Sequence, residues 1–275
     1  MIYNTIMVQL DIDAPAEPRL SLAWEIARRF EADLIAFVAA GVRPPVVAGD
    51  AGAVVAELMQ EQQAEIEERI SALKEDFLSF TGESERASWR SFIGSPTDLL
   101  ATHGRAADLI VTGNVDADVA EDSYRHVDVG TLVLSAGRPI LVASAGLESV
   151  RADSVLVAWK DTREARRAVT DALPFLASAQ DVLVATVEEG NQRNARESAA
   201  DVVRFLMKHG VKARSDVMGI GGGDAAEALA DMARQTGADL IVSGGYGHSR
   251  LREWVFGGVT RSFLDDRSFN RLVSH

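Results

Sequence analysis

The sequence predicts an α/β protein made of two tandem doubly wound parallel sheets, each covered by helices on both faces. Three observations predict it. Short apolar runs alternate with longer amphipathic stretches along the chain. That alternation occurs twice, with local sequence matches between the copies. One late apolar run also passes into a glycine-rich loop that opens a helix, which is how a parallel strand hands over to its crossover.

The matches fix the repeat. Ala107-Asp108-Leu109-Ile110-Val111-Thr112-Gly113 aligns with Ala238-Asp239-Leu240-Ile241-Val242-Ser243-Gly244. Thr5-Ile6-Met7-Val8 aligns with Ser154-Val155-Leu156-Val157, and Leu34 to Val38 aligns with Leu183 to Val187. At about 100–200 residues per domain, the 275 residues divide into copies at 1–148 and 149–275. In the second copy, strands are expected near 153–158, 181–187, 213–218, 238–243 and 269–273, with helices near 162–176, 192–209, 225–236 and 259–265. Asp161-x-x-Glu164 and Asp224-x-x-Glu227 read as capping boxes. In the first copy, Ser95-Pro96-Thr97-Asp98 puts proline at the first helical position, where its missing N–H costs nothing. Val54 to Phe80 reads as a long, partly solvated helix. Gly41 to Gly52, with Pro44-Pro45, reads as a long connection in preference to a flap.

Composition narrows the classes of function. No apolar run approaches the roughly 18 residues a membrane helix needs. Met1-Ile2-Tyr3-Asn4 lacks a basic region ahead of an apolar one, so no signal peptide is expected and the location expected is cytoplasmic. With no cysteine there is no disulfide, iron–sulfur cluster or thiol nucleophile. The five histidines, His103, His126, His209, His248 and His275, show no metal-ligand spacing, and no metal site is expected. The net charge of −13 argues against a nucleic-acid partner. All of the excess acid lies in residues 1–150, which hold 11 Lys and Arg against 24 Asp and Glu, whereas residues 151–275 hold 17 of each.

The loop Gly244-Gly245-Tyr246-Gly247-His248-Ser249-Arg250-Leu251-Arg252 continues to Gly257-Gly258-Val259-Thr260. Glycines let backbone N–H groups approach a ligand, and a helix start adds unpaired donors and partial positive charge. With His248, Arg250 and Arg252 alongside, the segment suits phosphate. Gly244-x2-Gly247-x9-Gly257 followed by a small residue resembles the nucleotide loop of the universal stress protein family. The resemblance covers nearly the whole chain as two copies. It implies a Rossmann-like, adenine nucleotide alpha-hydrolase-like fold, and ATP or a related adenine nucleotide, with or without magnesium, held by Ser243, Gly244, Tyr246, Gly247, His248, Gly257, Gly258, Val259 and Thr260. The family usually has Ser or Thr where this chain has Gly258, while Thr260 keeps a hydroxyl. Gly219-Ile220-Gly221-Gly222-Gly223-Asp224 is a weaker glycine run, better read as a turn ending in a helix cap at Asp224.

The base pocket is expected at Ala158-Trp159-Lys160, outside the carboxyl end of the first strand, with Val187 on its other side. Trp159 either stacks on a purine or packs at the strand end. Lys160 stands where the family often has Asp, and either reaches a phosphate or is solvated. Asp11 in the first copy keeps the family residue. The first copy has Asp116 in place of Gly247, followed by Asp118, Glu121, Asp122 and Asp128, and only Gly113 and Gly130 remain of the glycine pattern. Those carboxylates repel polyphosphate, screened over a Debye length of about 8 Å. The first copy is therefore expected to be a degenerate partner. By the resemblance, its last strand, Pro139 to Ala143, pairs with Phe269 to Val273 across a two-fold within one chain, which leaves room for a homodimer as well. No spacing suggests a catalytic set. The reading is a regulatory stress-response protein that binds nucleotide in its second copy without fast turnover. The alternatives are a slow ATPase or phosphotransferase, or an interaction protein that binds no nucleotide.

Overall fold

The computed structural model of the chain describes residues 2–45, 52–113, 122–144, 149–188, 190, 192–219, 225–245 and 269–275. The first half runs β1 (Thr5–Leu10), α1 (Glu17–Phe30), β2 (Asp33–Ala40), α2 (Gly52–Thr81), β3 (Ala87–Ile93), α3 (Pro96–His103), β4 (Leu109–Gly113), α4 (Val129–Ser135) and β5 (Ile140–Ala143). The second runs β6 (Ser154–Ala158), α5 (Arg163–Asp171), α6 (Leu173–Ser178), β7 (Asp181–Val187), α7 (Gln192–Lys208), β8 (Ala213–Met218), α8 (Ala225–Thr236), β9 (Leu240–Gly244) and β10 (Asn270–Ser274). The helix expected at 259–265 and the cap at Asp224 lie outside the described residues. Among those described, no helix is long and apolar enough to cross a membrane.

All ten strands form one sheet in the order β3-β2-β1-β4-β5-β10-β9-β6-β7-β8. Within each half every neighbouring pair is parallel. The halves meet where β10 pairs antiparallel with β5, in the register Arg271 to Val142, Leu272 to Leu141 and Val273 to Ile140. The expected pairing of the two last strands within one chain is thus present. Because the junction is antiparallel, the carboxyl ends of the two sets of strands point to opposite ends of the sheet.

The unusual polarity of β10 has a local cause. Asn270 is 1% exposed. Its Oδ1 accepts from the Ser144 N–H at 2.9 Å and its Nδ2 donates to the Ser149 carbonyl at 3.2 Å, which pins both ends of the connection between the halves. The repeated Ala-Asp-Leu-Ile-Val sequence is explained in the same way. Asp108 Oδ2 accepts from the Asn4 and Thr5 N–H groups, and Asp239 Oδ2 accepts from that of Asp153. Each aspartate ties the start of one central strand to the start of the other, so Leu109 and Leu240 enter the sheet in equivalent registers.

Two sequence expectations need correction. The cap of α5 is Thr162, not Asp161: the Thr162 Oγ1 accepts from the Ala165 N–H at 3.2 Å. Asp161 instead pairs with Arg166 one turn on, where two guanidinium donors outcompete a backbone N–H. The single helix expected over 162–176 is two, broken at Ala172 because Pro174 has no N–H to give to the preceding turn. The Ser95 cap before Pro96 and the long helix α2 are as expected.

One apolar core runs through both halves on the α1 and α5 side of the sheet, and each half has a second core on the other side. Where the halves meet on the shared side, Tyr3 and Phe30 pack on Phe175, with ring centroids 5.2–5.6 Å apart. Arg29 lies over the Phe30 and Phe175 rings and donates to the Val150 carbonyl. Phe175 is fully buried. Phe175→Ala is expected to cost about 3–5 kcal/mol, read as a lower urea midpoint for both halves together. A separate, unshifted transition for residues of the first half would show that the halves do not share this core.

Candidate functional site

In the second half the strand order is β10-β9-β6-β7-β8, so successive connections leave β6 in opposite directions and β6 and β9 flank the point of reversal. In open α/β sheets ligands sit outside the carboxyl ends of the strands at such a point. Ala158 and Ser243 are register partners there, and Ala158 also pairs with Ala185 on β7. Val187 ends β7 two residues further on and packs, like Ala158, against the core on the α8 side. The structure therefore brings Ala158, Ser243, Gly244 and Val187 to one end of three adjacent strands. Tyr246, Gly247, His248, Gly257, Gly258, Val259 and Thr260 lie outside the described residues.

Trp159 takes the packing alternative. Its side chain alternates with Ala158, so it joins Val155 and Val157 in the core on the α5 side, 6% exposed. Its Nε1 donates to Ser198 Oγ on α7 at 3.0 Å. The ring is on the face of the sheet opposite Ala158 and Val187. Lys160 is exposed, and its carbonyl accepts from the Thr162 N–H at 2.6 Å in the tight turn into α5.

That turn brings α5 onto the end of β9. A Cβ on Gly244 would sit 2.5 Å from the Ala165 nitrogen and 2.8 Å from the Glu164 carbonyl carbon, so only glycine admits the helix this close. Glu164, in the first turn of α5, is 1% exposed. Burial pushes its carboxyl up, but hydrogen bonds from Arg163, its own backbone N–H and Thr162 outweigh this and hold it below the usual range. Arg163 Nε reaches Glu164 Oε1 at 2.5 Å, while Oε2 has no partner among the described residues. Sequence reasoning saw Glu164 only as part of a cap; its closeness to Gly244, 80 residues away, had no local signal.

In the first half the strand reversal itself is filled by side chains, although a cavity of about 520 Å³ lies beside it, lined by Gly41, Gly94, Thr97, Tyr124 and Asp128. Gln9 stands where the second half has Ala158, and it is 3% exposed. Its Oε1 accepts from Arg19 Nη1 at 2.7 Å and from Thr112 Oγ1 at 3.0 Å. The Arg19 guanidinium lies against Gly113, in the space a Cβ there would take. Burial lowers the affinity of Arg19 for its proton, and Asp11 partly offsets that. Asp11 itself, 4% exposed, holds His126 Nδ1 at 2.7 Å. Beyond it, Asp13 pairs with Arg69 and, at 3.7 Å, with Arg125, and both arginines also meet Glu65. Sequence reasoning identified Asp11 but missed Gln9, Arg19 and His126.

Residues 151–266 match the Universal stress protein family. The match covers most of the second half and none of the first. The likeness of fold extends over the whole chain: a universal stress protein from Archaeoglobus fulgidus superposes with a TM-score of 0.73 at 13% identity, covering 98% of this chain and 96% of that one. A functionally unknown protein from Pseudomonas aeruginosa gives a TM-score of 0.61 at 16% identity, covering 99% and 92%. No curated protein sequence matches the chain. The half that matches the family is thus the one with small residues at its strand reversal, and the half outside the match is the one filled there by Gln9, Arg19 and His126.

Gly244→Ala is expected to destabilise the protein by about 1–3 kcal/mol, measured by chemical denaturation. An unchanged midpoint would mean that α5 can withdraw from β9 without loss.

Proposed function

We propose that this protein is a stress-response regulator that binds ATP or a related adenine nucleotide in its second half, without fast turnover. The observation that carries this is the contrast at the two strand reversals: Ala158 and Ser243 put small side chains there in the second half, where Gln9, Arg19 and the Asp11–His126 pair fill the first. The residues fit a nucleotide. A small side chain at Ala158 admits a flat base beside β6, with Val187 on its other side. Glu164 Oε2, without a partner among the described residues, is an acceptor suited to a ribose hydroxyl and repels phosphate. The triphosphate then extends toward the Gly244–Thr260 loop, whose glycines come with His248, Arg250 and Arg252 against a single acid, Glu253. Magnesium would accompany the phosphates in solution. The first half serves as a scaffold, holding the second through β5, β10 and the shared core. The reading places the protein in the cytoplasm, with no membrane or nucleic-acid partner. The acidic first half disfavours the latter.

Equilibrium dialysis with ATP and magnesium is expected to give one nucleotide per chain. Gly247→Asp, which imports the residue of the first copy, should abolish binding with the fold intact. Two equivalent sites per chain, or no binding at millimolar ATP, would refute the proposal.

No residue spacing in the sequence suggests a general base or a metal cage, and hydrolysis is expected well below the typical enzymatic value of about 10 per second. Phosphate release at that level, lost in Thr260→Ala, would instead make the protein an ATPase.

A further inference from the structure

A cavity lies on the face of the sheet opposite Ala158 and Val187, between α5 and α7, with a volume of about 530 Å³. That is within the range of small-molecule sites, about 300–1,000 Å³. Its floor and wall are apolar: Trp159, Val169, Val202 and Phe205. Phe205 is 40% exposed although its neighbours on the groove side are buried. Two carboxylates, Asp161 and Asp201, stand on the rim against one guanidinium, Arg166, leaving the lining one unit negative.

The groove is open because of the sequence of α7. In the first half the corresponding crossover helix, α2, presses Ile66 and Phe77 fully into the core, with Ile70 and Leu73 packed beside them. The buried positions of α7 are instead Ala195, Ala199, Val202 and Leu206. Ser198 on α7 meets the Trp159 indole by a hydrogen bond rather than by filling space. The ring is thereby fixed in orientation, with its donor already satisfied. The rim pairs are exposed: Asp161 is 54% exposed against Arg166 at 61%, and Asp201 is 73% exposed against Arg204 at 64%. Such pairs are weak, so either carboxylate can exchange its partner for a ligand.

We propose that this groove binds a small aromatic amine, its ring against Trp159, Val202 and Phe205 and its ammonium at Asp201 or Asp161. The charge follows from the lining. Aromatic faces and carboxylates both attract a cation, whereas an anion would meet two carboxylates. The site does not depend on nucleotide binding. It shares the turn Trp159–Thr162 with the crevice, one residue from Ala158, but opens on the opposite side.

The test uses tryptamine with the full-length chain, followed by backbone amide NMR. Saturable shifts are expected at Val169, Val202 and Phe205, in the submillimolar to millimolar range of a fragment of this size. Asp201→Asn should weaken tryptamine about threefold to tenfold, the size of one exposed or partly desolvated charge contact, and leave neutral indole unchanged. Indole-3-acetate should bind more weakly than tryptamine. Thr170→Phe, which fills the groove from α5, should remove the shifts while the melting curve stays cooperative. The proposal is overturned if tryptamine shows no saturable shifts, if the shifts fall at Ser243 and Gly244, or if Asp201→Asn leaves tryptamine affinity unchanged.

Discussion

The antiparallel pairing of β10 with β5 is the constraint on which the rest of the molecule depends. Each half is a parallel sheet whose last strand would otherwise be an open edge, with unpaired N–H and C=O groups inviting another chain. Joining the two edges removes both. It leaves as outer edges β3 and β8, which carry Arg90, Arg214 and Asp216, the charged kind of edge that resists further pairing. The same seam places four buried strands in series, β4, β5, β10 and β9, so β10 tolerates Asn270 only because its amide is satisfied by the connection between the halves. It also turns the carboxyl ends of the two halves away from each other. Neither strand reversal can therefore complete the other, and each has to be understood from its own side chains.

From that position the two ends diverge by a few residues. Gln9 and Ala158 occupy the same place in their strands, as do Thr112 and Ser243. A glutamine there needs donors once buried, and Arg19 and Thr112 supply them. Arg19 in turn needs the space that Gly113 leaves. Asp11, which by itself resembles a ligand-binding residue, is consumed by His126. A charged group buried with a partner at 2.7 Å is not available to a ligand unless that partner leaves. In the second half the glycine at the same strand end, Gly244, serves a different purpose: it admits the backbone of α5 rather than a side chain. The glycine at the same strand end thus admits a guanidinium in one half and a helix start in the other.

Much of the fold was legible because it is written in local patterns. The strands read as apolar runs, and the recurrence of Ala-Asp-Leu-Ile-Val showed the repeat, although the partners of its aspartates lie 103 and 86 residues away. The face of Trp159 was also legible in principle: Val155, Val157 and Trp159 alternate with Leu156 and Ala158, and period two assigns the indole to the side away from Val187. The cap of α5 was misread because Asp161 and Thr162 are both good caps, and the choice fell to Arg166, which claims the aspartate. The contents of the two strand ends were not legible. Asp11 meets His126 across 115 residues, and Gly244 meets Glu164 across 80; no spacing rule connects them.

The turn from β6 into α5 is where these separate accounts join. Ala158 faces the crevice, Trp159 faces the groove toward α7, and Thr162 caps a helix whose first turn lies on Gly244. The far end of that helix leads into Phe175, and Tyr3 donates from the first half to the Asp171 carbonyl at 2.6 Å. A shift of α5 along its axis would therefore be felt at Gly244 and at the interface between the halves in one movement, because a helix moves as a unit and Gly244 leaves it no slack. Coupling between the halves, if α5 has two positions, would run through this helix and not through the seam, whose hydrogen bonds fix β5 and β10 in one register.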